Sequence, residues 1–288
     1  MIFSIYELFN DIPIIEVVDI GASPIDGEPP YNCLLPMNRA RLLGFEPNPE
    51  QFSILNKKQS KRRRFLPYAV GDGQERTLHI CYAPGMCSLL EPDMEILNHF
   101  HGFGEWGRVV SKERIATWRL DDIEEISAID YLKLDVQGSE LPILRNATEW
   151  LKQILVIHLE VNFIPFYKNQ PLFAELDQTL RDAGFYLHTF APIISRVFKP
   201  LIVNNDVYAG LRQVLWTDAV YIRKFTDFSS LASDQLLKIA AISHELYKSY
   251  DLSLLALEKV DLKEGSDRSR VYLSRLTGQV DPQGDIAS

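Results

Sequence analysis

The run Ile15-Glu16-Val17-Val18-Asp19-Ile20-Gly21-Ala22 is short, apolar and rich in β-branched residues. Such a run is typical of a strand buried on both faces of a parallel sheet. Gly21 closes the strand, and glycine allows a backbone to turn sharply and to approach a ligand closely. Because ligands of open α/β sheets bind beyond the carboxyl ends of the strands, we expect Asp19 and Gly21 to face a binding crevice.

The composition excludes several classes of protein. With 288 residues, 46% of them hydrophobic, the chain is long enough to bury a complete core. Every apolar run is shorter than the roughly 20 residues of a membrane span. The N-terminus, with Glu7 and Asp11, does not resemble a signal or transit peptide. A formal charge of −9 argues against a general nucleic-acid binder. We therefore expect a cytoplasmic protein without a membrane span or a nucleic-acid partner.

Strands alternate with helices along most of the chain. The apolar patterns predict strands at 41–46, 65–70, 76–82, 129–135, 154–160, 185–190 and 214–222, and helices at 50–58, 139–146 and 172–183. This alternation predicts a doubly wound α/β fold with a mostly parallel sheet. The last two strands are expected to form an antiparallel pair.

The expected domain organisation has three parts. Residues 1–225 form one α/β domain, and residues 226–288 form a helical extension with a polar tail. Within the domain, residues 83–118 lose their periodicity but are rich in glycine and aromatic side chains, including Phe103 and Trp106. Because long irregular segments are usually functional when they are not disordered, we expect a lid or substrate-facing insertion. The helical extension either packs on the domain or pairs with a second subunit in a homo-oligomer.

Carboxylates end or follow the predicted strands, at Asp19, Glu46, Asp135 and Glu160. Glu46 ends the second strand and is placed to accept hydrogen bonds from both hydroxyls of an adenosine ribose. The dinucleotide fingerprint Gly-x-Gly-x-x-Gly is absent, so a pyrophosphate finds no glycine-rich cradle. The pattern favours a nucleoside without phosphates. S-adenosylmethionine fits, because its sulfonium cation suits a rim of carboxylates.

Four motifs contain these acids or lie between them. They are Val18-Asp19-Ile20-Gly21-Ala22, Phe45-Glu46-Pro47-Asn48-Pro49, Leu120-Asp121-Asp122-Ile123 and Tyr131-Leu132-Lys133-Leu134-Asp135-Val136-Gln137-Gly138-Ser139-Glu140. In this order and spacing they resemble the FkbM family of S-adenosylmethionine-dependent methyltransferases, over about residues 14–190. The resemblance implies a class I methyltransferase sheet, which is Rossmann-like, with an antiparallel hairpin at its far end.

Carried over by position, the resemblance implies a set of cofactor-binding residues. The first motif would line the methionine part of the cofactor, the second its ribose, the turn after Val70 its adenine, and the fourth its sulfonium and the acceptor. The expected cofactor-binding residues are Asp19, Gly21, Ala22, Glu46, Asn48, Gly71, Asp72, Asp135 and Gln137.

The resemblance also implies the reaction, transfer of a methyl group to a hydroxyl of a sugar, a glycan or another small molecule. Such an O-methylation needs a base, and the candidates are Asp135, Glu140 and Glu160. His99 and His101 have no third ligand nearby in sequence, so no metal site is predicted there. A divalent ion held by Asp135 and Glu160 is an alternative that the sequence leaves open.

Two departures from the family pattern leave other functions open. The family usually carries Gly-Ala-Asn-x-Gly after the first strand, whereas Ser23 and Ile25 replace the Asn and the second Gly here. Gln137 stands where Glu is more frequent. One alternative is therefore a binding protein that keeps the fold without catalysing a reaction. Another is a nicotinamide-dependent oxidoreductase, which the missing glycine fingerprint disfavours.

Overall fold

The computed structural model describes residues 3–23 and 27–278. Its strands are β1 (Ile15–Ile20), β2 (Ala40–Phe45), β3 (Arg63–Leu66), β4 (Ala69–Val70), β5 (Glu75–Cys81), β6 (Val109–Trp118), β7 (Tyr131–Leu134), β8 (Val156–Asn162), β9 (Phe185–Phe190), β10 (Ile194–Ser195) and β11 (Val214–Arg223). Its helices are α1 (Pro49–Asn56), α2 (Met94–Leu97), α3 (Phe103–Trp106), α4 (Glu140–Arg145), α5 (Phe173–Asp182), α6 (Ser233–Tyr247), α7 (Tyr250–Glu264) and α8 (Arg268–Thr277).

The chain divides into two units. We call Val17–Glu28 with Leu42–Arg223 the sheet unit, and Met1–Glu16, Pro29–Arg41 and Lys224–Ser288 together the helical unit. That the two N-terminal ranges group with the C-terminal helices was not expected from the sequence.

The central sheet has the strand order β10-β11-β8-β7-β1-β2-β3, and β9 also pairs with β11. β1, β7 and β8 run parallel, as do β2 and β3. β11 runs antiparallel to β8, β9 and β10. This confirms the predicted doubly wound, mostly parallel sheet with a terminal antiparallel pair.

The register of the parallel strands separates apolar from charged side chains. Val18, Leu132 and Ile157 are neighbours across β1, β7 and β8, and all three belong to one hydrophobic core. One residue further along, Asp19 lies beside Lys133, and Lys133 beside His158. Because alternate residues of a strand point to opposite faces, the charged row lies on the face opposite that core.

Helices α1 and α5 begin and end within two residues of the predicted bounds. The side chain of Asn48 caps α1 by accepting hydrogen bonds from the backbone N–H groups of Glu50 and Gln51, at 2.9 and 3.2 Å. Pro49 occupies the first helical position, where its missing N–H is not needed. Gly184 follows α5 with φ +89°, a conformation that glycine adopts easily at a helix end.

Two expectations about strands were wrong. Residues 109–118 of the segment expected to be irregular form β6, which pairs with β4 and β5 in a second, three-stranded sheet. Most side chains of β6 are exposed, so the strand lacks the apolar alternation that identifies strands in a sequence. The strand expected at 65–70 is two strands in different sheets, β3 and β4. Pro67 lies between them and has no N–H to donate to a ladder.

Residues 231–257 contain α6 and the first part of α7. α6 ends at Tyr247, and Lys248, with a φ of +56°, reverses the chain before α7. Near the N-terminus, Ile5–Glu7 forms a single 3-10 turn. The position of the break between α6 and α7 depends on a few backbone angles, which apolar spacing does not encode.

The helical unit has its own buried centre at His244. Nδ1 of His244 lies 2.8 Å from the hydroxyl of Tyr272, and Nε2 lies 2.7 Å from the carbonyl oxygen of Phe3. Burial lowers the pKa of His244. Within residues 3–23 and 27–278, no helix is both long enough and apolar enough to cross a membrane.

Candidate functional site

A cleft with a cavity volume of about 110 Å³, partly open to solvent, lies at the carboxyl ends of β1, β2 and β7. We call it the strand-end cleft. Five of the residues expected to bind the cofactor line it: Gly21, Glu46, Asn48, Asp135 and Gln137. The predicted convergence of strand-end residues at one rim is therefore present in the structure.

Gly21 joins the three strands at this cleft. Its N–H donates to the carbonyl oxygen of Phe45 at the end of β2, at 3.0 Å. The N–H of Asp135, after β7, donates to the carbonyl oxygen of Ile20 at 3.0 Å. A Cβ atom on Gly21 would lie 1.9 Å from the carbonyl oxygen of Asp135. Glycine is required here because two segments of backbone meet, a reason that differs from the expected approach of a ligand.

Glu46 is the buried carboxylate of the cleft, with 7% of its surface exposed. Its Oε1 accepts a hydrogen bond from the N–H of Asn48 at 2.8 Å. Burial raises the pKa of Glu46 to about 7, and the charges of Asp19 and Asp135 add to the increase, although N–H donors of the protein oppose it. The ionised form of Glu46 is therefore short of compensating hydrogen-bond donors.

Lys133 lies between two carboxylates. Its Nζ is 3.6 Å from Oδ1 of Asp19 and 3.3 Å from Oδ2 of Asp135. Burial alone lowers the pKa of Lys133, but the charges of Asp19 and Asp135 outweigh burial and raise it. The two carboxylates therefore favour the charged form of Lys133. Asp19 is 1% exposed and lies outside the lining of the cleft, so it affects the cleft through its charge and through its contact with Lys133.

Glu140 organises the turn that follows β7. Its Oε1 accepts hydrogen bonds from the N–H groups of Val136 and Gly138, at 3.1 and 3.2 Å. Gln137 and Gly138 both have positive φ, at 55° and 95°, so the turn is tight. Burial raises the pKa of Glu140 to about 7, although the two N–H donors oppose the increase. Glu140 does not line the cleft, and its contacts are those of a residue that fixes the turn.

Gln137 connects this turn to two other segments. Its Nε2 donates to Oδ1 of Asp135 at 2.9 Å, and its Oε1 accepts from the hydroxyl of Tyr167 at 3.3 Å. Its carbonyl oxygen accepts from the hydroxyl of Ser88 at 2.7 Å. Gln170 packs against Gly138, where an added Cβ would lie 3.0 Å from its Nε2. These contacts orient the Asp135 carboxylate at the cleft.

Glu160 lies on β8, outside the lining of the cleft. Its Oε1 accepts a hydrogen bond from Nδ2 of Asn162 at 3.0 Å. Burial raises the pKa of Glu160 well above its ordinary value, and the charges of Asp135 and Glu140 raise it further. The three carboxylates expected to act as bases are therefore near enough to affect one another, although only Asp135 lines the cleft.

Three other residues predicted to bind the cofactor make contacts within the protein instead of lining the cleft. Asp72 pairs with Arg76 and accepts a hydrogen bond from the N–H of Gln74 at 3.2 Å. Gly71 packs against Thr117, and Ala22 is buried beside Gly44. None of the three is in the lining of the cleft that the structure describes, so their contact with a cofactor stays a prediction.

Several lining residues were not assigned from the sequence. They are Ser23, Gln51, Tyr68 and Ser88. The ring of Tyr68 stacks between Phe45 and Trp118, with centroid distances of 6.3 and 5.3 Å. The position of Gln51 could have been predicted from the sequence, because it lies in the first turn of the helix that Asn48 caps. Ile25, which departs from the family pattern together with Ser23, lies outside the described residues.

The segment expected to be a lid contributes its first part to the cleft. Residues 84, 85 and 87–89 line it. Phe103, by contrast, is buried in a second hydrophobic cluster with Phe100 and Phe166, where its side chain packs in the protein interior. Among the residues that the structure describes, no group of three or more His, Cys, Asp or Glu side chains is placed to hold a metal ion.

The sequence of the sheet unit shows to which protein family the chain belongs. The family model for the methyltransferase FkbM domain matches residues 19–187, more than half of the chain. The chain belongs to this family. The FkbM family consists of S-adenosylmethionine-dependent methyltransferases, and the central sheet is the class I methyltransferase sheet that the sequence predicted.

Two solved structures illustrate how distant the structural relatives of this FkbM protein are. It is 12% identical to precorrin-6y C5,15-methyltransferase from Geobacter metallireducens GS-15, with a TM-score of 0.36, over 76% of this chain and 86% of that one. It is 14% identical to TYW2 from M. jannaschii, solved in complex with AdoMet, with a TM-score of 0.33, over 74% of this chain and 72% of that one. No curated protein matches the chain in sequence.

Proposed function

We propose that the strand-end cleft binds S-adenosylmethionine and that the protein transfers its methyl group to a hydroxyl of a sugar or a similar small polyol. Membership of the FkbM family supports methyl transfer. The charge of the cleft supports this cofactor, and the polar groups beside it support this class of acceptor.

The observation that carries the proposal is the sign of the charge in the cleft. Among the lining residues that the structure describes, the charged side chains are Glu46 and Asp135, both acidic. A sulfonium cation is attracted to such a site, whereas the phosphates of a nicotinamide dinucleotide are repelled. The residues present therefore fit S-adenosylmethionine better than a dinucleotide.

Each lining residue then has a proposed contact. Glu46 accepts hydrogen bonds from the two ribose hydroxyls, and Asn48 holds Glu46 through its N–H. Tyr68 and Val70 provide apolar surface for the adenine. The backbone at Gly21 follows the methionine part, and Asp135 faces the sulfonium.

The proposed acceptor is polar because two buried amide groups lie beside the candidate bases. Oδ1 of Asn162 and Nε2 of Gln170 are both buried, and neither has a hydrogen-bond partner among the described residues. One atom is an acceptor and the other a donor, and leaving either unsatisfied is unfavourable. A polyol carries hydroxyls that donate to the first and accept from the second.

Proton removal from the acceptor is assigned to the carboxylates around Gln137. When bound, S-adenosylmethionine supplies a methyl group on a sulfonium that leaves as a neutral thioether. The acceptor hydroxyl must lose its proton as the new C–O bond forms. We propose Glu160 and Asp135 as the proton-accepting groups, and Glu140 as the residue that fixes their turn. Holding the acceptor in line with the methyl group supplies the remaining acceleration.

The test is calorimetric titration with S-adenosylmethionine, followed by transfer of a labelled methyl group to a panel of sugars and polyols. We expect binding that Glu46→Ala weakens by about 1.5–3 kcal/mol, as for hydrogen bonds to a charged group. Lys57→Ala, an exposed change outside the cleft, is the matched control. Binding without transfer to any acceptor would support the non-catalytic alternative, and binding of NADH in its place would refute the proposal.

A further inference from the structure

The connection between β10 and β11 exposes a concentration of large hydrophobic side chains. We call residues 196–212 the apolar loop. Its exposed members are Phe198, Leu201, Ile202, Val207, Tyr208 and Leu211, each between 38% and 56% exposed. Single exposed apolar side chains are common on protein surfaces, but a contiguous group of them marks an interaction surface.

The apolar loop is held in place at its base. The ring of Phe198 stacks on Phe100 with centroids 5.1 Å apart, and the ring of Tyr208 stacks on Trp106 at 5.8 Å. The N–H of Arg196 donates to the carbonyl oxygen of Gln213 at 3.1 Å, where the two ends of the loop meet. The exposed side chains are therefore presented by a formed structure.

A tight turn sits between the two exposed halves. Asn204 and Asn205 both have positive φ, at 53° and 57°, which is the conformation of the turn that joins two antiparallel segments. Val203 and Asp206, on either side, form an antiparallel bridge. Leu201 and Ile202 precede this hairpin and Val207 and Tyr208 follow it, so both of its arms carry exposed apolar side chains.

The charge of the apolar loop is opposite to that of the chain. The chain has a formal charge of −9, whereas the loop carries Arg196, Lys199 and Arg212 against the single acid Asp206. Lys199 and Arg212 are exposed. A negatively charged surface is therefore repelled by most of the molecule and attracted by this loop.

We propose that the apolar loop docks on an anionic lipid bilayer. Its hydrophobic side chains enter the interface between headgroups and acyl chains, and Lys199 and Arg212 meet the phosphate groups. A second copy of the chain fits the loop less well, because a twofold contact would place the same cations against each other. The inference does not depend on the proposed methyl transfer.

The test is co-sedimentation of the whole protein with vesicles of phosphatidylcholine, with and without phosphatidylserine. We expect binding to the anionic vesicles that weakens with added salt. Leu201→Ser/Ile202→Ser and Lys199→Glu/Arg212→Glu should each weaken it at least about tenfold. One basic side chain near an anionic surface contributes roughly fivefold, and burial of two large aliphatic side chains contributes at least about tenfold. The controls are Leu262→Ser, an exposed leucine of the helical unit, and Lys57→Glu/Lys58→Glu, exposed lysines that give the same change in charge.

Three results would overturn the proposal. One is failure of the unaltered protein to bind anionic vesicles. Another is an equal loss of binding in the control variants, which would show a general attraction without a role for the loop. The third is a dimer, measured by light scattering, that does not bind vesicles and that Leu201→Ser/Ile202→Ser converts to a monomer. In that case the loop joins two copies of the chain.

Discussion

The carbonyl oxygen of Asp135 occupies the space that a side chain on Gly21 would need, 1.9 Å from the position of its Cβ. The φ of Gly21, +81°, lies in the left-handed region that favours glycine. These two residues bring the ends of β1 and β7 together beside the strand-end cleft. A change at Gly21 therefore acts directly on the backbone of a proposed base.

We expect Gly21→Ala to lower the free energy of unfolding by about 3 kcal/mol or more, because the methyl group displaces backbone and the φ is unfavourable. Cofactor affinity should fall with it. Urea denaturation and calorimetric titration measure the two effects. Gly184→Ala is the control, since its φ is +89° but its nearest neighbour, Nη1 of Arg223, is at an ordinary 3.5 Å. Equal losses in the two variants would show that crowding against Asp135 is unimportant.

The pKa of Glu46, raised to about 7, makes cofactor affinity depend on pH. Ribose hydroxyls donate to the ionised carboxylate, so binding favours deprotonation. As pH falls below 7, Glu46 becomes protonated and affinity should fall, by up to about tenfold per pH unit. Titration with S-adenosylhomocysteine between about pH 5.5 and 8 measures this.

Glu46→Gln provides the control for that measurement. The amide is similar in size and keeps an oxygen that accepts from the N–H of Asn48, but it does not ionise in this range. Ionisation of the ligand affects both proteins equally. We expect the variant to bind more weakly at pH 8 and with much less dependence on pH. An unchanged pH profile in Glu46→Gln would assign the dependence to another group.

The positions of the strand-end residues were predictable because they depend on local sequence. A short β-branched run predicts β1. The acid at its end, the glycine after it and the helix cap at Glu46-Pro47-Asn48-Pro49 can each be recognised from the residues next to them in the sequence. Parallel strands then bring their carboxyl ends to one edge. The same reasoning cannot predict the contact of Tyr167, whose hydroxyl donates a hydrogen bond to Gln137, 30 residues earlier in the sequence.

The contact between Asp19 and Lys133 was missed for a related reason. It comes from the register between β1 and β7, and a register is not readable from either strand alone. The structure buries the side chain of Asp19 against Lys133, and the contact of Asp19 with the cofactor that the family resemblance implies stays a prediction. Strand β6 was not predicted for another reason. Most of its side chains are exposed, so its sequence does not alternate between apolar and polar residues.

Removing Lys133 should be strongly destabilising. Lys133→Met leaves the buried carboxylate of Asp19 without its cation, and we expect a loss of about 3–5 kcal/mol in the free energy of unfolding. Chemical denaturation at neutral pH measures it. Asp19→Asn/Lys133→Met removes both charges and should recover part of the loss. A double variant less stable than Lys133→Met would contradict this account of the pair.

Glu140 should matter through the turn it holds. Glu140→Ala leaves the N–H groups of Val136 and Gly138 without their acceptor, and we expect a loss of about 2–4 kcal/mol in stability. Cofactor affinity should also fall, because Asp135 and Gln137 belong to the same turn. Glu140→Gln keeps an oxygen acceptor and should lose much less of both. If Glu140→Gln instead keeps stability and cofactor affinity but abolishes methyl transfer, Glu140 is a base and the structural assignment is wrong.

Replacing Glu160 separates proton transfer from cofactor binding. Glu160→Gln keeps the size of the side chain but removes the proposed proton acceptor, so we expect kcat to fall by about 10²–10⁴ while cofactor affinity stays unchanged. Because burial raises the pKa of Glu160, activity in the unaltered protein should increase with pH as this carboxyl ionises. The measurements are calorimetry and the pH dependence of methyl transfer. Asp135→Asn is the comparison, since Asp135 lines the cleft and its replacement should weaken cofactor binding as well. If Glu160→Gln is fully active and Asp135→Asn binds the cofactor normally but is inactive, Asp135 is the base.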